Sequence, residues 1–195
     1  MQTIVSIDLE TRGQDPATCA IASIGVVIAI PNKGIVAEGE WWIDPKDALL
    51  HGAEDESTMQ WWAKQSPEAQ RQLYEGKYTV KEALAELEAF LFARFADYTT
   101  LNKAVIVARS PSFDCAILLR HYEKVCGFQT PWKYWQERDH RTYEQAYRDF
   151  CSAAGINYPS YKHAYPVAHN ALSDARNQAL YLLHIQQMAV MATRK

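Results

Sequence analysis

Asp8 and Glu10 stand one residue apart at the end of an apolar run, in "IVSIDLETRG" (residues 4–13). Successive side chains of a strand point to opposite faces, so the two carboxylates share a face. Two anions so placed repel each other unless a cation lies between them, and hard oxygen donors of this kind suit Mg²⁺ or Mn²⁺. A chain with 23 Asp and Glu residues will contain an Asp-x-Glu by chance, so the pair has to be weighed in context. Ile4, Val5 and Ile7 are β-branched residues of a central strand, and Thr-Arg-Gly ends it with a turn signal. Two more acids fall at similar punctuation points. Asp114 follows a Ser-Pro-Ser turn and begins a helix, where the macrodipole alone would favour it. Asp174 lies in the first turns of a later helix, five residues after His169 in "VAHNALSDA". Taken singly, each has an ordinary structural explanation; together they point to one shared site rather than to coincidence.

The elements that must position these residues are readable from periodicity. "TIVSIDLE", "CAIASIGVVIAI" and "GIVAEGEWWIDP" are strands, the last two joined by a turn at Pro31-Asn32-Lys33-Gly34, which predicts a three-stranded antiparallel start. Ser57 and Gln60 have capping-box spacing at the head of a short helix through "TMQWWAKQ", and Ser66-Pro67 reads as N-cap and first position of another. Thr79 and Glu82 open a longer helix with Val80, Leu84, Leu87, Leu91 and Phe95 on one face. A strand "AVIVAR" follows, then helices from about Phe113 to Cys126 (stopped by Gly127), from about Thr142 to Ala154 (stopped by Gly155), and from near Ala171 past Leu183. Antiparallel strands followed by alternating helix and strand predict an α/β domain with a mixed sheet and helices on both faces.

Composition narrows the class. With 195 residues, 48% hydrophobic, and no Pro-, Gly- or Ser-rich linker, the chain reads as one domain over residues 1–195. The longest apolar stretch is too short to span a bilayer and too far in to be a signal peptide, so a cytoplasmic protein with no membrane partner is expected. Cys19, Cys115, Cys126 and Cys151 show no Cys-x-x-Cys spacing, which points to reduced thiols rather than zinc or disulfides. A net charge of -3 argues against coating long stretches of nucleic acid through a basic face. An enzyme gripping a few nucleotides remains compatible with it.

The order Asp-x-Glu, Phe-Asp about a hundred residues on, then His-x-x-x-x-Asp resembles the DEDDh family of 3′-to-5′ exonucleases, which have an RNase H-like fold. The stretches "STMQWWAKQSPEAQ", "RSPSFDCAIL", "KYWQERDHRT" and "VAHNALSDA" look like those of phage exonuclease A and of bacterial RNase T-like exoribonucleases, over roughly Ile4 to Leu183. Arg109 departs from the Asn that many members carry five residues before the third acid.

The resemblance implies an RNase H-like, mixed five-stranded sheet and the release of nucleoside 5′-monophosphates from the 3′ ends of single-stranded DNA or RNA. Such hydrolysis needs charge relief on the attacking and leaving oxygens, which two divalent ions about 4 Å apart supply. By the family's pattern Asp8 would serve both ions, Glu10 and Asp174 would complete one site, and Asp114 would act on the other. His169 would be the general base, since an imidazole can take a proton from water near neutral pH. Thr11 would lie at the terminal 3′-hydroxyl, and Leu9 and Phe113 would pack against bases, although both also suit a core. One of Trp61 and Trp62 would face the groove, here Trp61; Arg138 or Arg141 would hold a phosphate, with Asp139 capping the next helix; Lys162 and His163 suit further backbone contacts and ordinary loop surface equally. DNA is slightly favoured over RNA, no residue announces a 2′-hydroxyl contact, and homodimerisation is left open. An RNase H-like endonuclease and a non-catalytic binding module are the competing readings. The His-x-x-x-x-Asp element disfavours the first, and the retention of all five site residues disfavours the second.

Overall fold

The computed structural model describes residues 2–158, 161, 164, 165 and 167–192; Lys162 and His163 lie outside them. Strands β1 (Ile4–Thr11), β2 (Ile21–Ile30) and β3 (Gly34–Trp42) form the antiparallel start. Helix α1 (Pro45–His51) follows directly, with Asp44 as N-cap and Pro45 at its first position. The sequence reading had run the third strand through these residues.

Helix α2 (Glu56–Trp62) is capped by Asp55, whose carboxylate accepts from Thr58 N–H at 2.7 Å, not by a Ser57/Gln60 box. A carboxylate two residues earlier out-competes the Ser57 hydroxyl, which itself donates to Asp55. Helix α3 (Pro67–Tyr74) starts at Ser66, and α4 (Val80–Arg94) carries the reciprocal Thr79/Glu82 box. A four-residue α5 (Tyr98–Leu101) precedes β4 (Val105–Ala108). Helix α6 (Asp114–His121) runs into a π turn over Tyr122–Cys126 that Gly127 ends in the left-handed conformation, φ 77°. A short β5 (Glu137–Asp139) leads into α7 (His140–Ala153), capped by Asp139, and α8 (Ala171–Ala192) follows.

The sheet order is β3-β2-β1-β4-β5, with β4 and β5 parallel to β1. Strand β1 is central, and its alternation sorts the two layers. Val5, Ile7 and Leu9 pack with Leu84, Leu87 and Leu91 of α4 and Ile117 and Leu118 of α6. Ile4, on the other face, packs with Val107, with Cys151 of α7, and with Ala175, Ala179 and Leu182 of α8. Asp8 and Glu10 therefore point to the α8 face, still paired with β2 but beyond Ser6, the last β1 residue paired with β4. The register between β1 and β2 slips between Glu10 and Thr11, a bulge of the kind that re-aims side chains beside sites.

Helix α8 lies close on β2 because Gly25 has no side chain. A methyl group there would meet the backbone of Ala171 at 2.2 Å, and Gly25 is the residue paired with Asp8 across the strands. Among the described residues, no helix is long and apolar enough to cross a membrane. The four cysteines are free thiols.

Candidate active site

All four acids and His169 line one pocket of about 610 Å³ at the end of β1. Each is fixed by a different element. Asp8 accepts from Gln178 Nε2 on α8 at 2.7 Å. Asp114, in the first turn of α6, accepts from the Leu9 N–H of β1 at 3.0 Å, so its carboxylate is tied to the strand that carries the other two. Asp174 accepts from the His169 N–H at 3.0 Å, and the Asn170 side chain accepts from Ser173 N–H to start α8. Ligand atoms of Glu10, His169 and Asp174 lie within 4.8 Å of one another. Asp8 and Asp114 flank this tightest triad.

His169 takes a left-handed backbone conformation, φ 59°, uncommon outside glycine. Three contacts hold it there. Its N–H binds Asp174, its carbonyl accepts from Gln72 Nε2, and the edge of its ring meets Trp61, with centroids 4.7 Å apart. Gln72 is 1% exposed and is itself held by the Ser23 hydroxyl.

Burial, and then the neighbouring acids, push the carboxyls of Asp8 and Glu10 well above the usual range. Asp114 rises to about 7 because its burial outweighs the hydrogen bond from Leu9. Among the described residues no ion pair reaches Asp8, Glu10 or Asp114. These groups ionise near pH 4 in an unfolded chain, so between that pH and their folded pKa the native state binds more protons. Their contribution to stability is full below the unfolded value and is lost as pH rises through the folded one. In EDTA, the thermal midpoint is expected to fall as pH rises from about 5 to about 8. Added Mg²⁺ or Mn²⁺ should raise it more at the higher pH. A midpoint that climbs over that range would contradict this electrostatic picture.

The other predicted residues divide. Leu9 and Phe113 line the pocket, with Leu9 also deep in the α4-side core. Trp61 is 39% exposed and borders an adjoining hollow of about 200 Å³ with Thr11 and Phe113, whereas Trp62 is core at 1%. Thr11 has its hydroxyl on the Gly13 carbonyl and its own carbonyl occupied by Trp62 Nε1. Arg109 and Arg141 reach the pocket, where the Arg141 guanidinium donates to the Arg109 carbonyl and to Ser110 Oγ. Arg138 is not among the lining residues; its guanidinium is turned onto the Trp135 and Glu137 carbonyls.

Gln178, Gln72 and Gly25 escaped the sequence reading. Gln178 is one turn beyond Asp174 on the same helix face, and a lone Gly inside an apolar strand is a known sign of close backbone approach. Gln72 left no signal in the sequence.

Solved structures share this architecture. E. coli exonuclease I in complex with a dT13 oligonucleotide superposes with a TM-score of 0.66 at 13% identity, over 99% of this chain and 43% of that one. An exonuclease I from Methylocaldum szegediense gives 0.63 at 12% identity, over 96% and 41%. The chain thus spans about two fifths of the length of these proteins. No curated protein sequence matches. The family model and the shared fold are those of a 3′-to-5′ exonuclease of the RNase H-like type. More narrowly, residues 3–186 match the Rv2179c-like 3′-5′ exoribonuclease domain, and the chain belongs to that family.

Proposed function

We propose that the protein is a divalent-metal-dependent exonuclease of the DEDDh, RNase T-like kind that removes nucleoside 5′-monophosphates from the 3′ ends of single-stranded RNA. The observation that carries this reading is the convergence of Asp8, Glu10, Asp114 and Asp174 on one pocket with His169 among them. Among the described residues Asp8, Glu10 and Asp114 are buried without an ion pair, and such carboxylates form a donor set that fits Mg²⁺ or Mn²⁺. Two such ions, when bound, relieve charge on the oxygens of the scissile phosphate. Asp8, Glu10 and Asp174 would hold one of them, and Asp8 and Asp114 would serve the other. His169 takes the proton of the attacking water, and its fixed carbonyl and N–H keep the ring over the cluster. Arg109 and Arg141 orient the phosphate. Leu9, Phe113 and Trp61 pack on the terminal bases, and the chain end sits at Thr11.

The family's exoribonuclease character favours RNA, against the slight lean of the sequence toward DNA. DNA stands as a second reading because the similar exonuclease I structures hold single-stranded DNA. The test is a time course with Mg²⁺ or Mn²⁺ on matched 5′-labelled RNA and DNA strands, beside Asp8→Ala. A ladder shortening from the 3′ end of RNA, absent in the variant, is the expected result. A ladder on DNA alone would reassign the substrate, and no digestion of either strand would remove the enzymatic reading.

A further inference from the structure

A second cavity, of about 440 Å³, lies between α7 and α8 and adjoins the acidic pocket. Arg109, Asn177 and Gln178 line both. Gln178 forms the shared wall: its Nε2 holds Asp8, while its Oε1 is buried without a hydrogen-bond partner among the described residues. His140, 2% exposed, lines the cavity with neither ring nitrogen partnered among the described residues, and the buried Tyr158 hydroxyl likewise has no partner among them. Buried polar groups are nearly always satisfied, and leaving one unmet costs stability. Three such groups around one cavity are explained if a ligand meets them.

The chemistry of that ligand follows from the lining. Burial first, then the Arg109 charge, pushes the His140 imidazole down to about 4. It is therefore neutral near pH 7, with one N–H to donate and one bare nitrogen to accept. A phosphate offers only acceptors and would leave the bare nitrogen unmet, whereas a nucleobase edge offers donors and acceptors side by side. Tyr161 and Tyr181 add aromatic surface, their rings 4.9 Å apart, with the His140 ring 5.4 Å from Tyr181. Such surfaces suit base stacking. Arg109, at the junction of the two cavities, is placed for the linking phosphate.

Building on the exonuclease reading, we propose that this cavity is a nucleobase subsite. It takes one base of the strand whose scissile phosphate lies at Asp8, reads its edge with His140, Tyr158 and Gln178, and gives the enzyme a base preference.

Fluorescence-anisotropy titrations in EDTA with short labelled RNA homopolymers of A, C and U test it. Wild-type affinities are expected to spread by about three- to tenfold, the worth of one net hydrogen bond. His140→Phe, which keeps a ring but removes both nitrogens, should collapse the spread to within about twofold, and Tyr158→Phe should narrow it. Equal wild-type affinities, or a full spread retained in either folded variant, would overturn the subsite; Tyr158→Phe decides the matter if His140→Phe does not fold. Cleavage of the same strands by the wild type with Mg²⁺ or Mn²⁺ separates the two claims. A spread without cleavage keeps the subsite and removes the exonuclease, and cleavage without a spread does the reverse.

Discussion

His169→Ala is expected to lower kcat on single-stranded RNA by roughly 10²- to 10⁴-fold, the usual loss on removing a general base. RNA affinity in EDTA should change little, because Arg109 and Arg141 remain in the pocket. The backbone complicates the experiment. Position 169 has φ 59°, a conformation that alanine adopts less readily than His or Asn. Part of any loss in the alanine variant would then come from a shifted loop and a displaced Asp174, whose carboxylate accepts the His169 N–H. His169→Asn separates the two effects, since Asn tolerates the left-handed region but is not a base. If the imidazole takes the proton, Asn fails to restore turnover and both variants stay at least about 10²-fold below wild type. If the loop geometry is what matters, Asn restores most of the activity, and near-wild-type turnover in both would end the assignment of a base to this position.

The second large effect is expected at a position that has no functional group of its own. Gly25→Ala should both destabilise the protein and disable it. The added methyl would sit 2.2 Å from the Ala171 carbonyl carbon and 2.4 Å from its oxygen and from the Leu172 nitrogen, all backbone atoms at the start of α8. No rotamer change relieves such a clash, so helix and sheet must separate. Overpacking of this sort costs about 1–3 kcal/mol, which for a chain of this size lowers the thermal midpoint by about 2–12 °C. The separation also moves Asp174 and Gln178 away from Asp8. A misplacement of about 1 Å can cost on the order of 10²-fold in rate, so kcat should fall by about that factor even where the variant is fully folded. A wild-type midpoint and wild-type turnover together would show that α8 does not need this close approach.

What the sequence revealed and what it withheld follow from the range of the interactions. Thr79 with Glu82, Ser66 with Pro67, and Asp139 are local capping devices that act within one turn, and each is found where its spacing predicts. The alternation of β1 was enough to place Asp8 and Glu10 on a common face, and the mixed sheet with its antiparallel start followed from the strand pattern. Helix α1 was missed because Asp44-Pro45 was absorbed into the end of a strand run. Strand β5 is three residues long, too short to show a period of two, and its place is set by pairing with β4. "ERDHRT" read as an arginine motif beside a cap, yet its most deeply buried side chain is His140, which only the packing of α7 against α8 could reveal. Gln72 and Gln178 act across 97 and 170 residues of sequence, on His169 and Asp8. Polar contacts of that span leave no local pattern to read.

The acidic pocket is assembled from residues 8–10, 114 and 169–178, so almost the whole length between Asp8 and Gln178 must be made before it can close. The antiparallel start needs only the first 42 residues, and its strands are neighbours in sequence, so it can form early during synthesis. A chain still on the ribosome then carries the sheet's antiparallel half and Asp8, but neither Asp174 nor His169. The acidic pocket therefore closes only when α8 docks over Gly25, and the growing polypeptide does not carry an assembled site.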